Sequence, residues 1–122
     1  MKMVKYTSID QWESSFRKGF AKPMILQILF DEKISYPYKI TKQISQKTMG
    51  MLNVATSNIY PLLKDLKDDG LILEIEEQER KIMYQLTEEG LNFLNELRES
   101  ILNFLTMLTN NFTITNGGKV NV

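Results

Sequence analysis

The chain of 122 residues contains no cysteine and no histidine. These absences exclude disulfides, thiolate nucleophiles, Cys/His zinc sites, Ser-His-Asp triads and histidine-based pH switches. Net charge is also lacking, because 15 basic and 15 acidic side chains cancel. No run approaches the roughly 18 apolar residues that a membrane span needs, and the longest apolar cluster, Met24–Phe30, is short. The basic start Met1-Lys2-Met3-Val4-Lys5 leads into Tyr6-Thr7-Ser8-Ile9-Asp10 instead of an apolar core, so no signal peptide is expected. There is no glycine-rich phosphate loop. The acidic pairs Asp31-Glu32, Asp68-Asp69 and Glu88-Glu89 are adjacent, so neither member can join the other at one point of a helix face. The expectation is therefore a soluble intracellular protein that is no enzyme, holds no metal or cofactor, and does not enter a membrane.

Hydrophobic residues make up 43% of the chain and charged residues 25%, the balance of one ordinary globular domain. The charges are not evenly spread. Residues 1–50 carry nine basic side chains against four acidic ones, whereas residues 71–100 carry three basic against eight acidic. A positive face can exist on a neutral molecule, although two solvated faces of opposite sign explain the same pattern.

Periodicity divides the chain into elements. Ser8 followed by Gln11 has capping-box spacing. Ile9, Trp12, Phe16 and Phe20 then form one helical stripe. Pro23 suits the first turn of a second helix, whose segment Met24–Phe30 is apolar nearly all round and so should be buried. Ser35-Tyr36-Pro37 starts a third helix bearing Ile40, Ile44 and Met49, which Gly50 stops. Asn53 is the expected N-cap of a fourth helix, with Ile59, Leu62, Leu63 and Leu66 on its apolar side and Gly70 at its end. Pro61 is awkward within it, since a mid-helix proline costs about 3 kcal/mol; spacing alone allows a start at Asn58.

From Leu71 to Leu86 the period changes to two, with Leu71, Leu73 and Ile75 alternating with Ile72, Glu74 and Glu76. Ile82, Tyr84 and Leu86 alternate with Met83 and Gln85, so a β-hairpin is predicted around the polar stretch Glu77–Lys81. Thr87 then caps a last helix running to about Asn110, with Glu88 and Glu89 in its first turn. Leu94, Leu97, Ile101, Phe104 and Leu108 follow heptad spacing along it.

Two short helices joined by a turn at Gly50–Asn53 and followed by a two-stranded wing make the winged helix-turn-helix order. The predicted fold is mainly α with a small β-hairpin, with an added N-terminal helix and a long C-terminal dimerisation helix. Residues 1–86 hold the N-terminal helix and the winged-helix region. Residues 87–110 hold the C-terminal helix of the same compact unit, and 111–122 a flexible tail.

Two stretches carry a family resemblance. Thr56-Ser57-Asn58-Ile59-Tyr60-Pro61-Leu62-Leu63-Lys64-Asp65-Leu66 with Asp69-Gly70-Leu71-Ile72 resembles the PadR-like transcriptional regulators. So does Lys81-Ile82-Met83-Tyr84-Gln85-Leu86-Thr87-Glu88-Glu89-Gly90. Tyr38-Lys39-Ile40 stands where the family usually has a longer motif with an upstream His and Gly, which this chain lacks. The resemblance covers roughly residues 24–98. It implies that Pro61 lies inside the recognition helix, which then runs from about Val54 to Asp69. It also implies a cytoplasmic, homodimeric DNA-binding regulator, usually a repressor, with small aromatic effectors among many relatives.

On this reading Thr56, Ser57, Asn58 and Tyr60 reach base edges or phosphates from the recognition helix, joined by Lys64. Ion pairing of Lys64 and Lys67 with Asp65, Asp68 and Asp69 competes with that role. Lys39, Lys42 and Lys47 neutralise phosphates from the preceding helix. Arg80 and Lys81 do so from the wing, although Glu76, Glu77 and Glu79 beside them would repel DNA. The dimer seam is assigned to Leu94, Leu97, Ile101, Phe104 and Leu108, because a small core cannot cover a long helix that is apolar on two sides. Ile9, Trp12, Phe16 and Phe20 are assigned to the partner's last helix, and a ligand pocket lined by Trp12 or Phe16 is the lesser expectation for these rings. The resulting function is sequence-specific binding of a pseudo-palindromic operator. The alternative is a winged-helix protein-interaction module that docks through its acidic wing.

Overall fold

In the computed structural model, residues 8–76 and 81–113 are described. The elements are α1 (Ile9–Lys18), α2 (Ala21–Glu32), α3 (Pro37–Lys47), α4 (Thr56–Asp68), β1 (Ile72–Glu76), β2 (Ile82–Leu86) and α5 (Glu88–Asn111). This is the expected order. Arg80, with the loop glutamates Glu77 and Glu79, lies outside the described residues, as does the tail from residue 114 onward.

The expected capping box forms at α1. The Ser8 hydroxyl accepts from the Gln11 amide at 3.1 Å, and the Ser8 amide donates to the Gln11 side chain at 3.3 Å. None of α1's own residues is buried. Its hold on the rest of the chain includes Phe20, just past its end, and an Arg17 guanidinium donating to the Met51 carbonyl at 3.1 Å.

The core is built where α2 crosses α3, α4 and α5. Ile25, Leu26, Ile28 and Leu29 from α2 meet Ile40 and Ile44, then Ile59, Leu63 and Leu66, with Leu94 closing one side. α2 is buried on most of its circumference, as its composition requires. Phe30 is the exception, and the Arg98 guanidinium lies 4.6 Å above its ring.

The turn between α3 and α4 is longer than expected. It runs from Thr48 to Ala55, and the N-cap of α4 is Ala55 rather than Asn53. The extra residues are used because Leu52 drops into the core and Val54 packs against it. Thr48 organises this turn: its hydroxyl donates to the Ile44 carbonyl at 2.8 Å and accepts from the Leu52 amide at 3.0 Å. Asn53 instead donates from its side chain to the Gly50 carbonyl at 2.8 Å. Pro61 lies inside a continuous α4, as the resemblance implied and spacing alone did not.

The strands pair antiparallel in the register Ile72↔Leu86, Glu74↔Tyr84 and Glu76↔Ile82. The core-facing side is opposite to the alternation expected for β1, for Ile72 is buried and Leu73 is 38% exposed. Gly70, with a φ of 79°, turns the chain after α4 into β1. Ser35, just before α3, adds a one-residue bridge to β2, donating to and accepting from Tyr84 at 3.1 and 2.7 Å.

The base of the hairpin is locked to α5. Thr87 donates its hydroxyl to the Gly70 carbonyl at 2.7 Å and accepts from the Gly90 amide at 2.9 Å. A Cβ on Gly90 would run into the Leu71 carbonyl. The Tyr-x-Leu-Thr-x-x-Gly stretch is thus a joint: Tyr84 and Leu86 pack on the core, Thr87 caps, and Gly90 permits the close approach.

Candidate nucleic-acid interface

α4 buries Ile59, Leu63 and Leu66 and leaves the rest of its surface outward. Thr56, Ser57 and Asn58 are all exposed in its first turn, and Tyr60 is 54% exposed. No side chain caps this helix start. The Asn58 amide turns back to the Ala55 carbonyl at 2.8 Å. The free end of α4 therefore offers short polar side chains together with first-turn amides, a donor-rich surface suited to phosphate or base edges.

α3 places Lys39, Lys42 and Lys47 on exposed positions. Lys42 stands with its ammonium 5.4 Å from the Tyr38 ring centre, and Lys81 at the start of the second wing strand stands 4.9 Å from that of Tyr36. Cation–π contacts of this kind hold an ammonium in place without neutralising it. The sequence gives no sign of the Tyr36 contact, because Lys81 lies more than forty positions away, just before β2.

Five lysines lie within reach of carboxylates. Lys64 contacts Asp68 at 2.7 Å and Lys67 contacts Glu74 at 2.8 Å. Lys39 reaches Glu32 and Lys47 reaches Asp31, each at 3.6 Å, and Lys22 reaches Asp65 at 3.2 Å. Only the Lys64–Asp68 pair follows from i,i+4 spacing. The hydrogen bond with Asp68 raises the pKa of Lys64, and the same bond lowers that of Asp68. Lys67 is raised by its bond to Glu74. Burial raises Tyr84, with Glu74 adding to the effect. The Lys67–Glu74 pair ties α4 to β1, so the helix and the wing are linked by charge as well as by the core.

The second feature is an apolar groove of about 690 Å³ between α2, the turn after α3 and α5. Phe20, Met24, Leu97, Ile101, Leu102 and Leu105 form much of its wall, with Arg17, Lys47 and Arg98 at polar positions in its lining. Of the residues assigned to the dimer seam, Leu94 is a correction: it is 2% exposed and belongs to the chain's own core. Leu97 and Phe20 are partly buried against that core. Ile101 and Leu108 are half-buried, while Ile9, Trp12, Phe16 and Phe104 are between 57% and 72% exposed. Neither Trp12 nor Phe16 lines this groove.

Among the described residues, no cluster of carboxylates could hold a metal, and no helix is long and apolar enough to cross a membrane. Two helices joined by a turn, the second with an outward polar face, and a two-stranded wing define a winged helix-turn-helix protein. Residues 25–96 match the Transcriptional regulator PadR-like family. The chain belongs to that family. It is similar to a transcriptional regulator from Clostridium thermocellum, at 26% identity over 88% of this chain and 99% of that one, with a TM-score of 0.71. A PadR-like regulator from Bacillus cereus shares 26% identity over 80% of this chain and 95% of that one, with a TM-score of 0.68. A PadR family regulator from Clostridium difficile shares 28% over 77% and 98%, with a TM-score of 0.65. No curated protein matches the sequence.

Proposed function

We propose that the chain is a homodimeric repressor that inserts α4 into the major groove of a pseudo-palindromic operator. The observation that carries this reading is the outward, uncapped end of α4 bearing Thr56, Ser57 and Asn58. Asn58 has the donor–acceptor pair needed to read adenine, and Thr56 and Ser57 can serve bases or phosphates. Lys42 on α3 and Lys81 beside the wing add positive charge, with Lys39, Lys47 and Lys64 in reserve. Tyr60 has the exposure to place its hydroxyl on a phosphate. Arg80 is proposed as a wing contact from its sequence position alone.

Dimerisation rests on unmatched apolar surface. α1 presents Ile9, Trp12 and Phe16, and the second half of α5 presents Leu102, Phe104, Leu105 and Met107, each exposed among the described residues. A second copy covers both. It also sets two α4 helices one DNA turn, about 34 Å, apart. Repression follows from occupancy of the operator, and such a regulator works in the cytoplasm. A small aromatic effector, if one acts, would occupy the part of the groove that the partner leaves open.

The test is fluorescence anisotropy with duplexes selected from random oligonucleotides, at two salt concentrations. The expected result is binding at low salt that weakens with log[salt] by about 0.9 per phosphate neutralised. Absence of binding at low salt, or equal binding at both, overturns the reading. The second reading, a protein-docking module, is favoured by the number of lysines already paired with carboxylates, and absence of DNA binding would select it.

A further inference from the structure

We propose that Asp31, Glu32 and Asp68 act as built-in competitors of DNA phosphate, setting how tightly the protein holds DNA. The inference rests on the DNA-binding reading above and goes beyond it by naming residues that oppose binding. Three of the lysines available for phosphate are each within reach of one carboxylate: Lys47 of Asp31, Lys39 of Glu32 and Lys64 of Asp68. Asp31 and Glu32 are adjacent, and between them they engage lysines at the two ends of α3.

The helix dipole does not account for the positions of these carboxylates. Asp31 and Glu32 are the last two residues of α2, and Asp68 is the last residue of α4. Helix C-termini disfavour negative charge. Lys39, in the first turn of α3, is likewise at the end where a cation is disfavoured. Asp31 also accepts from the Gln27 side chain at 3.0 Å, and Lys47 lies in the last turn of α3, where a cation is favoured; beyond that, what these groups gain is each other, at largely exposed sites where an ion pair is weak. A weak pair is readily exchanged for a phosphate, and each exchange leaves a carboxylate facing the polyanion. DNA must therefore displace three internal anions. Lys42 has no such competitor among the described residues, its ammonium lying over Tyr38.

The experiment measures anisotropy of the full chain on duplex DNA at several salt concentrations, comparing Asp31→Asn, Glu32→Gln and Asp68→Asn with Glu99→Gln. Glu99 is an exposed residue of α5, and its replacement changes net charge equally. Each of the three neutralisations is expected to tighten binding by up to about fivefold and to steepen the salt slope by up to about 0.9. Glu99→Gln should do neither. The gain must vanish when the lysine is absent, so Lys64→Ala with Asp68→Asn should bind like Lys64→Ala alone. Neutralisations that act no more than Glu99→Gln, or a gain that survives loss of the lysine, overturn the proposal while DNA binding itself stands. Wild-type and variant chains that all ignore DNA at low salt overturn the underlying reading instead.

Discussion

In α5, Leu94 is 2% exposed and Phe104, ten residues further along the same helix, is 57% exposed. Both are large apolar residues on one heptad pattern. The first turns of α5 are held by the Thr87 cap, the Gly90 contact with Leu71 and the core beneath Leu94. Beyond Leu97 no residue of the helix is fully buried, and its apolar stripe lies half-covered or exposed. The difference separates two energies within one helix: burial inside the chain, which is independent of concentration, and the burial that the proposed dimer would add.

The comparison breaks most severely at Leu94. Leu94→Ala should cost about 2–5 kcal/mol of stability at any protein concentration, read by chemical denaturation. Gly90→Ala comes next, at about 1–3 kcal/mol, because the new Cβ meets backbone rather than a yielding side chain. Its loss should exceed the gain in helix propensity that alanine normally brings. Phe104→Glu with Leu108→Glu should leave the winged-helix core folded and abolish the dimer, read by light scattering. A dimer that survives this pair would place the seam elsewhere, on α1 alone.

The smallest effect sharpens the contrast in charge. Lys64 and Asp68 stabilise each other while both are ionised. The Asp68 pKa is lowered, so its share is present above the unfolded carboxylate value and lost as pH falls through the folded one. The Lys64 pKa is raised, so its share is present below the unfolded lysine value and lost as pH rises through the folded one. Both groups are fully exposed, so thermal melts should be nearly flat across the neutral range, with a small decline at each extreme. A chain without histidine has no side chain of its own to make that range steep.

Much of the fold was legible because local rules and tertiary context agree. The Ser8–Gln11 box, proline in the first turns of α2 and α3, Gly70 after α4 and the Thr87 cap all do in the structure what their chemistry predicts. Asn53 misled because a good capping residue was available before Leu52 and Val54 had been counted into the core. The candidate interface was legible as residue types. It was not legible as partners, because Lys39 meets Glu32 and Lys47 meets Asp31 only once α3 crosses the end of α2.

By itself, then, the sequence determined the order of elements, the polar outward face of α4 and the existence of apolar stripes on α1 and α5. Those are properties of periods and caps, which act within a few residues of chain. Tertiary structure decided that Ile72 rather than Leu73 enters the core, that Leu94 belongs to the chain's own core, and which lysines stand beside a carboxylate and which beside a ring. A period names the face of an element, but what covers that face depends on how distant segments cross.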